Sequence, residues 1–267
     1  MRSFQISKQL GAISVQPLPV PSAYRKGDVP AEFYRKQATG ETPRTEMNLK
    51  RARFVRTIRL KNGGFADLAS GTGALLTTVV TGGLTLQDGR GPAIQLVPGD
   101  LFLLHAENIA EIGVAAQDNC CLVQIGVTPD WPGPDATLQA PGTSTPRTGA
   151  PTIKRVYKGD DDLSYFRAFP EFFSAPENTW SEPRTIRGFR FMCWEDGFID
   201  WHPEVINCLA IFLSGELELE TSGDRAAEIF RTGDICLAED RTGVGHIDRC
   251  RGATHALLLV TDDETSW

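Results

Sequence analysis

Apolar and polar residues alternate in short runs through most of the chain, and glycine-rich turns separate these runs. In residues 216–220 Glu alternates with Leu, which is the period-two pattern of a strand with one buried face. The runs are evenly spaced, and few stretches have the 3.6-residue period of a helix. The pattern therefore predicts an all-β protein of sandwich or barrel architecture with few short helices.

Two segments of this pattern repeat one another along the chain. Residues 76–103 and 210–237 each predict an apolar strand, a glycine turn, an alternating strand, a second turn and an apolar strand that follows a Gly-Asp pair. The offset between the copies is about 133 to 135 residues, which is the size of one ordinary domain. A repeated β unit of this size predicts two double-sheet jelly-roll barrels in tandem.

The distribution of Pro, Gly and Thr divides the chain. Residues 128–152 are rich in these three residue types and are typical of a surface connector. We therefore predict an N-terminal barrel with a lead-in segment over residues 1–127, a linker over 128–152 and a C-terminal barrel over 153–267.

The composition limits the kinds of partner. The chain has 267 residues and a formal net charge of -7, which disfavours binding to nucleic acid through a surplus of Lys and Arg. It has no uncharged apolar run of the roughly 18 to 20 residues that a membrane-spanning helix needs, and no apolar stretch typical of a signal peptide. Its Cys residues form no CxxC pair, which fits a reducing compartment. We expect a cytoplasmic protein whose partner is a small molecule rather than a nucleic acid or a membrane.

Two distant His residues carry the candidate chemistry. Side chains alternate across a strand, so Asp200, His202 and Glu204 share one face if the chain is extended there. A second strand ending at His246 would add another imidazole, and two His with one carboxylate suit non-haem Fe(II) or a similar first-row ion. The alternative for both His is a polar loop residue whose hydrogen bonds backbone or water satisfies.

The second copy of the repeat resembles the cupin superfamily. The first cupin motif has a strand that starts with Gly and carries His-x-His, then a Glu and a later Gly. Here residues 197–204 read Gly-Phe-Ile-Asp-Trp-His-Pro-Glu, followed by Cys208 and Gly215. The second motif ends in Gly-x-x-His, which occurs at residues 243–246. The amino-acid sequences of both motifs are also similar to those of uncharacterised bacterial small cupins.

The match of the metal ligands is partial. His202 and His246 stand at ligand positions, Glu204 stands where the second His is expected, and Cys208 replaces the family Glu. The resemblance implies a bicupin whose N-terminal barrel is degenerate, because the equivalent positions there carry no His. Those positions are Ala69, Gly71, Leu75 and Glu111.

The resemblance implies a barrel whose mouth holds the active site, frequently with a divalent metal (Fe, Mn, Zn or Ni), and frequent dimerisation. We therefore expect a homodimeric, metal-dependent enzyme acting on a small organic molecule, as a dioxygenase or lyase. A metal-free isomerase or epimerase and a non-enzymatic small-ligand sensor remain alternatives. The predicted metal ligands are His202, Glu204 and His246; the candidates for proton transfer are Asp200, Glu204 and Glu239; and the candidate pocket residues are Phe189, Phe191, Trp194 and Cys208.

Overall fold

The chain folds almost entirely into strands. The computed structural model describes residues 3–9, 12–17, 24–25, 52–65, 67–68, 73–87, 93–105, 113–128, 150–194, 196–261 and 267. Within them it forms nineteen strands and one short 3-10 helix at Pro170–Phe173, so the prediction of an all-β protein is confirmed. The same residues contain no helix of the length and apolar character that crossing a membrane requires.

The strands of the described residues follow one another along the chain. They are β1 (Ser3–Gln9), β2 (Ala12–Pro17), β3 (Tyr24–Arg25), β4 (Ala52–Leu60), β5 (Ala74–Gln87), β6 (Ile94–Leu96), β7 (Leu101–His105), β8 (Gly113–Val127), β9 (Ile153–Lys158), β10 (Ser164–Ala168), β11 (Arg184–Thr185), β12 (Gly188–Trp194), β13 (Gly197–His202), β14 (Cys208–Ser214), β15 (Glu216–Thr221), β16 (Ala227–Arg231), β17 (Ile235–Ala238), β18 (His246–Cys250) and β19 (Thr254–Val260).

These strands form three sheets. We call residues 52–128 the N-terminal half and residues 150–261 the C-terminal half. The N-terminal half lies in an eight-stranded sheet of order β11-β4-β8-β5-β7-β1-β2, in which β6 pairs with β5 at the side. The C-terminal half contains a seven-stranded sheet of order β10-β9-β17-β14-β19-β12-β3 and a four-stranded sheet of order β13-β18-β15-β16.

Three buried apolar clusters hold the sheets together. The first combines side chains of the eight-stranded and seven-stranded sheets, so it joins the two halves. The second lies within the N-terminal half, and the third lies between the two sheets of the C-terminal half. Successive residues of one strand pack in different clusters. On β5, Val79 belongs to the second cluster and Val80 to the first. On β12, Phe191 belongs to the first cluster and Met192 to the third. Strands with both faces buried therefore connect the layers.

The two Gly-Asp turns of the sequence repeat contact the opposite half of the molecule. Gly99 has a φ of 84° and Gly233 a φ of 86°, so both lie in the left-handed region that favours glycine. A Cβ atom at Gly99 would overlap the carbonyl oxygen of Leu213, and one at Gly233 would overlap that of Val80. The repeat is therefore visible in the structure as a reciprocal contact, in which each Gly-Asp turn meets a strand of the other half, β14 or β5.

The predicted domain boundaries fall where little of the chain is described. Of the predicted linker, only residue 128 and residues 150–152 belong to the described part, so the boundaries and the arrangement as two tandem barrels stay predictions. Strand pairing also crosses these boundaries: β11 of the C-terminal half pairs with β4 of the N-terminal half, and β3, which precedes both halves, pairs with β12.

Candidate metal centre

A cavity of about 80 Å³ lies inside the C-terminal half, between its two sheets. Both sheets contribute to its wall, which combines apolar side chains with a few polar and charged ones. The residues that matter for its chemistry are Arg190, His202, Glu204, Cys208, His246 and Asp248, and apolar neighbours include Trp194, Ala210 and Leu258. A largely apolar pocket with a few convergent polar groups is the usual form of a small-molecule site.

Two antiparallel strands bring His202 and His246 together. His202 ends β13, His246 begins β18, and the two residues are direct partners in the strand pairing. The register shifts between Ile199 and His202, and this β-bulge allows both of these residues to face the cavity. The two imidazole ring centroids lie 4.6 Å apart.

Asp248 supplies a third donor. It follows His246 by two residues on β18, so strand alternation places both side chains on the cavity face. Its Oδ2 lies 3.8 Å from Nε2 of His202, and its Oδ1 lies 3.9 Å from Nε2 of His246. One ligand atom from each of the three residues lies within 4.8 Å of the others. Asp248 Oδ1 is buried and accepts no hydrogen bond from any described residue.

Each imidazole is oriented through its Nδ1 atom. Nδ1 of His202 lies 2.8 Å from the backbone oxygen of Asp200, and Nδ1 of His246 lies 2.7 Å from Oδ2 of Asp240. Both partners are acceptors, so Nδ1 donates in each case, and in the neutral ring the lone pair then lies on Nε2. This is the arrangement by which an outer partner fixes the tautomer of a metal-ligating His.

The cluster is strongly coupled electrostatically. Burial alone would lower the pKa of His246, but Asp240, Asp248 and Glu204 outweigh it and raise the pKa to about 9. Burial raises the pKa of Glu204 above its usual value, against the opposing effect of His246 and His202. The site thus holds a protonated imidazole among carboxylates when no cation is bound, and a cation could take the place of that proton.

The three carboxyl groups predicted for ligation or proton transfer occupy different places. Glu204 lines the cavity beside the His-His-Asp group. Asp200 is exposed, and its Oδ1 accepts a hydrogen bond from the backbone amide of Trp201 at 2.9 Å. Glu239 forms an ion pair with Arg155 and does not belong to the cavity lining. The bulge in β13 explains the separation of Asp200, because it breaks the simple alternation that would have placed Asp200 and His202 on one face.

The four predicted pocket residues divide into two groups. Trp194 and Cys208 line the cavity, whereas Phe189 and Phe191 lie in the cluster that joins the halves. The reason is strand parity, since the even-numbered residues of 190–194 face the cavity and the odd-numbered Phe residues face the opposite side. Burial raises the pKa of the Cys208 thiol well above its usual value, which is the behaviour of a buried, unreactive cysteine.

Sequence reasoning missed three residues of the site: Asp248, Asp240 and Arg190. The spacing His246-x-Asp248 on one strand was the available signal for Asp248, because alternate residues share a face. Asp240 was visible only as an acidic turn residue, and its bond to His246 depends on the path of the loop. Nothing in the sequence marked Arg190 as a site residue, because the sequence does not show which side chains of β12 point toward the cavity.

Comparisons with known proteins give distant likenesses of fold. No protein-family model matches the chain, and no curated protein matches it. A solved cupin 2 conserved barrel domain protein from Leptotrichia buccalis is similar, with 12% identity, a TM-score of 0.34, and coverage of 80% of this chain and 85% of that chain. A protein of unknown function of the DUF861 family from Pseudomonas syringae pv. tomato has 14% identity, a TM-score of 0.37, and coverage of 81% and 83%. The formate complex of oxalate decarboxylase from Lactobacillus farciminis has 14% identity, a TM-score of 0.30, and coverage of 80% and 78%.

The solved structures that the chain resembles thus include a cupin-barrel protein. At these identities and TM-scores the likeness concerns the arrangement of strands alone. The bicupin organisation stays a prediction.

Proposed function

We propose that the chain is a metal-dependent enzyme that acts on a small organic molecule in the cavity of its C-terminal half. A divalent first-row transition ion would be held by Nε2 of His202, Nε2 of His246 and a carboxylate oxygen of Asp248. The observation that carries the proposal is the convergence of these three donors within 4.8 Å of one another inside the cavity.

The donor set fits such an ion. Two atoms that each lie about 2.0–2.2 Å from one metal ion can be no more than about 4.4 Å apart. Oδ2 of Asp248 lies 3.8 Å from Nε2 of His202, and Oδ1 lies 3.9 Å from Nε2 of His246, within that limit. One donor atom from each of the three residues spans up to 4.8 Å, so the side chains would draw together by a few tenths of an ångström around an ion. A buried oxygen with no hydrogen-bond donor among the described residues, Asp248 Oδ1, is costly unless a cation satisfies it. Two imidazoles and one carboxylate also leave coordination positions open.

The chain's own residues would prepare the reaction. A bound ion supplies a Lewis acid that polarises an oxygen of the substrate. Glu204 lies in the cavity with a raised pKa, so its carboxyl group is suited to hold a proton and exchange it with a bound molecule. Asp240 holds His246 through Nδ1. A dioxygenase or a lyase is the reaction class that an open site of this kind best suits.

Metal binding is the first test. Purified wild-type protein titrated with Mn²⁺ or Fe²⁺ should take up one ion per chain, and His202→Ala and Asp248→Ala should each weaken binding by more than about 100-fold. His255→Ala is the matched control, because His255 bonds to Ser214 Oγ, lies outside the cavity lining and should leave the affinity unchanged.

Two results would contradict the proposal. If wild-type protein binds no divalent ion yet converts a substrate, the metal-free isomerase or epimerase is correct instead. If His202→Ala also leaves ligand binding intact and no turnover is found, the C-terminal half is a binding module or has its site elsewhere.

A further inference from the structure

Arg190 lies in the middle of β12 and lines the same cavity as the His-His-Asp group. Its Nε atom is buried and finds no hydrogen-bond acceptor among the described residues. A buried N–H of a charged group without an acceptor is costly, so native structures rarely keep one without a use. The guanidinium group therefore has donor capacity that no described residue satisfies.

The N-terminal half shows how the same position is satisfied when no ligand is involved. Arg56 stands 134 residues before Arg190, at the offset of the sequence repeat, and its partner across the strand pair is Gln124. Nε of Arg56 donates to Oε1 of Gln124 at 2.8 Å, and Nη2 donates to the same atom. Nε2 of Gln124 then donates to Oγ1 of Thr77 at 3.0 Å. This guanidinium is held by an internal network of hydrogen bonds.

Among the described residues, no equivalent network surrounds Arg190. Its partner across β12 and β19 is Leu258, and the partner of Leu258 on β14 is Ala210. An apolar pair thus replaces the Gln and Thr of the N-terminal half, at the same places in the strand register. The cavity opens where the internal acceptor would have been, and Leu258 and Ala210 both line it.

We propose that Arg190 binds a carboxylate group of the substrate, so that the cavity selects small carboxylic acids. The inference rests on the proposed function, because it assigns the substrate class of that same site. A planar guanidinium matches a carboxylate in geometry and charge, and such bonds are stronger than those between neutral groups. An enclosed water needs about 10–15 Å³, so a cavity of about 80 Å³ has room for a compact acid about the size of five to eight waters.

The test uses malonate as the probe and calorimetric titration as the readout, with metal-free and Mn²⁺-loaded full-length protein. Wild-type protein should bind malonate in both states, and malonamide, its uncharged analogue, should bind at least tenfold more weakly. Arg190→Gln should weaken malonate binding more than tenfold and leave Mn²⁺ affinity within twofold. Arg56→Gln, the same substitution at the repeat-related position, should leave malonate binding within twofold.

The outcomes separate this inference from the proposed function. Equal binding of malonate by wild type and Arg190→Gln, or preference for inorganic phosphate over malonate, overturns the role of Arg190 even if Mn²⁺ binds as proposed. If wild-type protein does not bind Mn²⁺, the proposed metal centre is wrong. Malonate titration of the metal-free protein would still show whether Arg190 binds a carboxylate. If Arg56→Gln fails to fold, Arg190→Lys provides the second measurement. This variant keeps the positive charge but not the planar guanidinium, so its malonate affinity should lie between those of wild type and Arg190→Gln.

Discussion

The interiors of the two halves use equivalent strands but are filled differently. In the N-terminal half the buried guanidinium of Arg56 is bonded to Gln124 among packed apolar side chains. In the C-terminal half Arg190 faces a cavity beside Leu258, and the His-His-Asp group lies in the same space. The common framework thus provides burial in both halves, whereas the identity of one cross-strand partner decides whether the guanidinium group is bonded to a Gln side chain or faces a cavity.

Arg56 has contacts in addition to its two hydrogen bonds with Gln124. Its Cζ lies 4.3 Å from the ring centroid of Trp180, a cation–π contact. Burial lowers its pKa to about 10, against the opposing charge of Asp67, so the group is still charged at neutral pH. A buried charge in this setting depends on its partners, and removing either side of the contact leaves the other unsatisfied.

The largest expected effect tests what the halves have in common. Gly99→Ala and Gly233→Ala should each lower the free energy of unfolding by about 3 kcal/mol. A left-handed backbone costs a non-glycine residue about 1–2 kcal/mol, and forcing a Cβ against the carbonyl of the opposite half adds about 1–3 kcal/mol. Urea unfolding of the two variants measures both effects.

Gly63 and Gly252 are the controls for this pair. They also have positive φ values, of 73° and 80°, but a Cβ at either would meet nothing within 4 Å. Their Ala variants should therefore lose only the backbone part, about 1–2 kcal/mol. If all four substitutions lower the free energy of unfolding equally, the contact of the Gly-Asp turns with the opposite half contributes nothing to stability.

The second prediction concerns the two guanidinium groups. Arg56→Met should lower the free energy of unfolding by about 2 kcal/mol, because it removes hydrogen bonds from a charged donor and leaves Gln124 Oε1 without them. Arg190→Met should not lower the free energy of unfolding and should raise it by about 1 kcal/mol, since it removes a buried N–H that has no acceptor among the described residues. Urea unfolding with unchanged m-values gives the comparison. Equal losses in the two variants would mean that Arg190 is a structural residue like Arg56.

The third prediction concerns the orientation of His246. Asp240→Asn should weaken Mn²⁺ binding by between about 10-fold and 100-fold, because the carboxylate at 2.7 Å from Nδ1 both fixes the ring and increases its basicity. Asp162→Asn is the matched control: Asp162 forms an exposed ion pair with Lys158 outside the cavity lining, and its variant should bind the ion as wild type does. An unchanged affinity in Asp240→Asn would show that Asp240 acts only in the fold.

Much of the framework could be predicted from the sequence because it depends on local patterns. Alternation in residues 216–220 predicts a strand, and β15 occupies them. The matching Gly-Asp pairs predict equivalent turns, which Gly99 and Gly233 form. The meeting of His202 and His246 was an expectation from motif spacing, and the strand register places them opposite one another.

The remaining features of the site depend on pairing, which a single sequence does not specify. The bulge between Ile199 and His202 separates Asp200 from the cavity, and no residue type in that stretch marks it. β12 is buried on both faces, so its sequence lacks the polar alternation that would have distinguished Phe189 from Arg190. Tertiary register, rather than propensity, decides both points.

The last prediction concerns a variant that gives Arg190 the kind of cross-strand partner that Arg56 has. In Leu258→Gln the new amide stands opposite Arg190 as Gln124 stands opposite Arg56, so its Oε1 can accept the hydrogen bond that Nε now lacks. Malonate would then compete with an internal acceptor, and its affinity should fall about tenfold, which corresponds to about 1.4 kcal/mol.

Two matched variants complete this experiment. Leu258→Met keeps the volume without an acceptor and should bind malonate as wild type does. Adding Ala210→Thr to Leu258→Gln supplies the hydroxyl that Thr77 gives to Gln124, so the double variant should bind malonate more weakly still. Mn²⁺ affinity should stay within twofold throughout, because none of these side chains belongs to the His-His-Asp group. Malonate binding that survives both Leu258→Gln and the double variant would mean that the Arg190 guanidinium is not what recognises the acid. The difference between the two interiors would then need another cause.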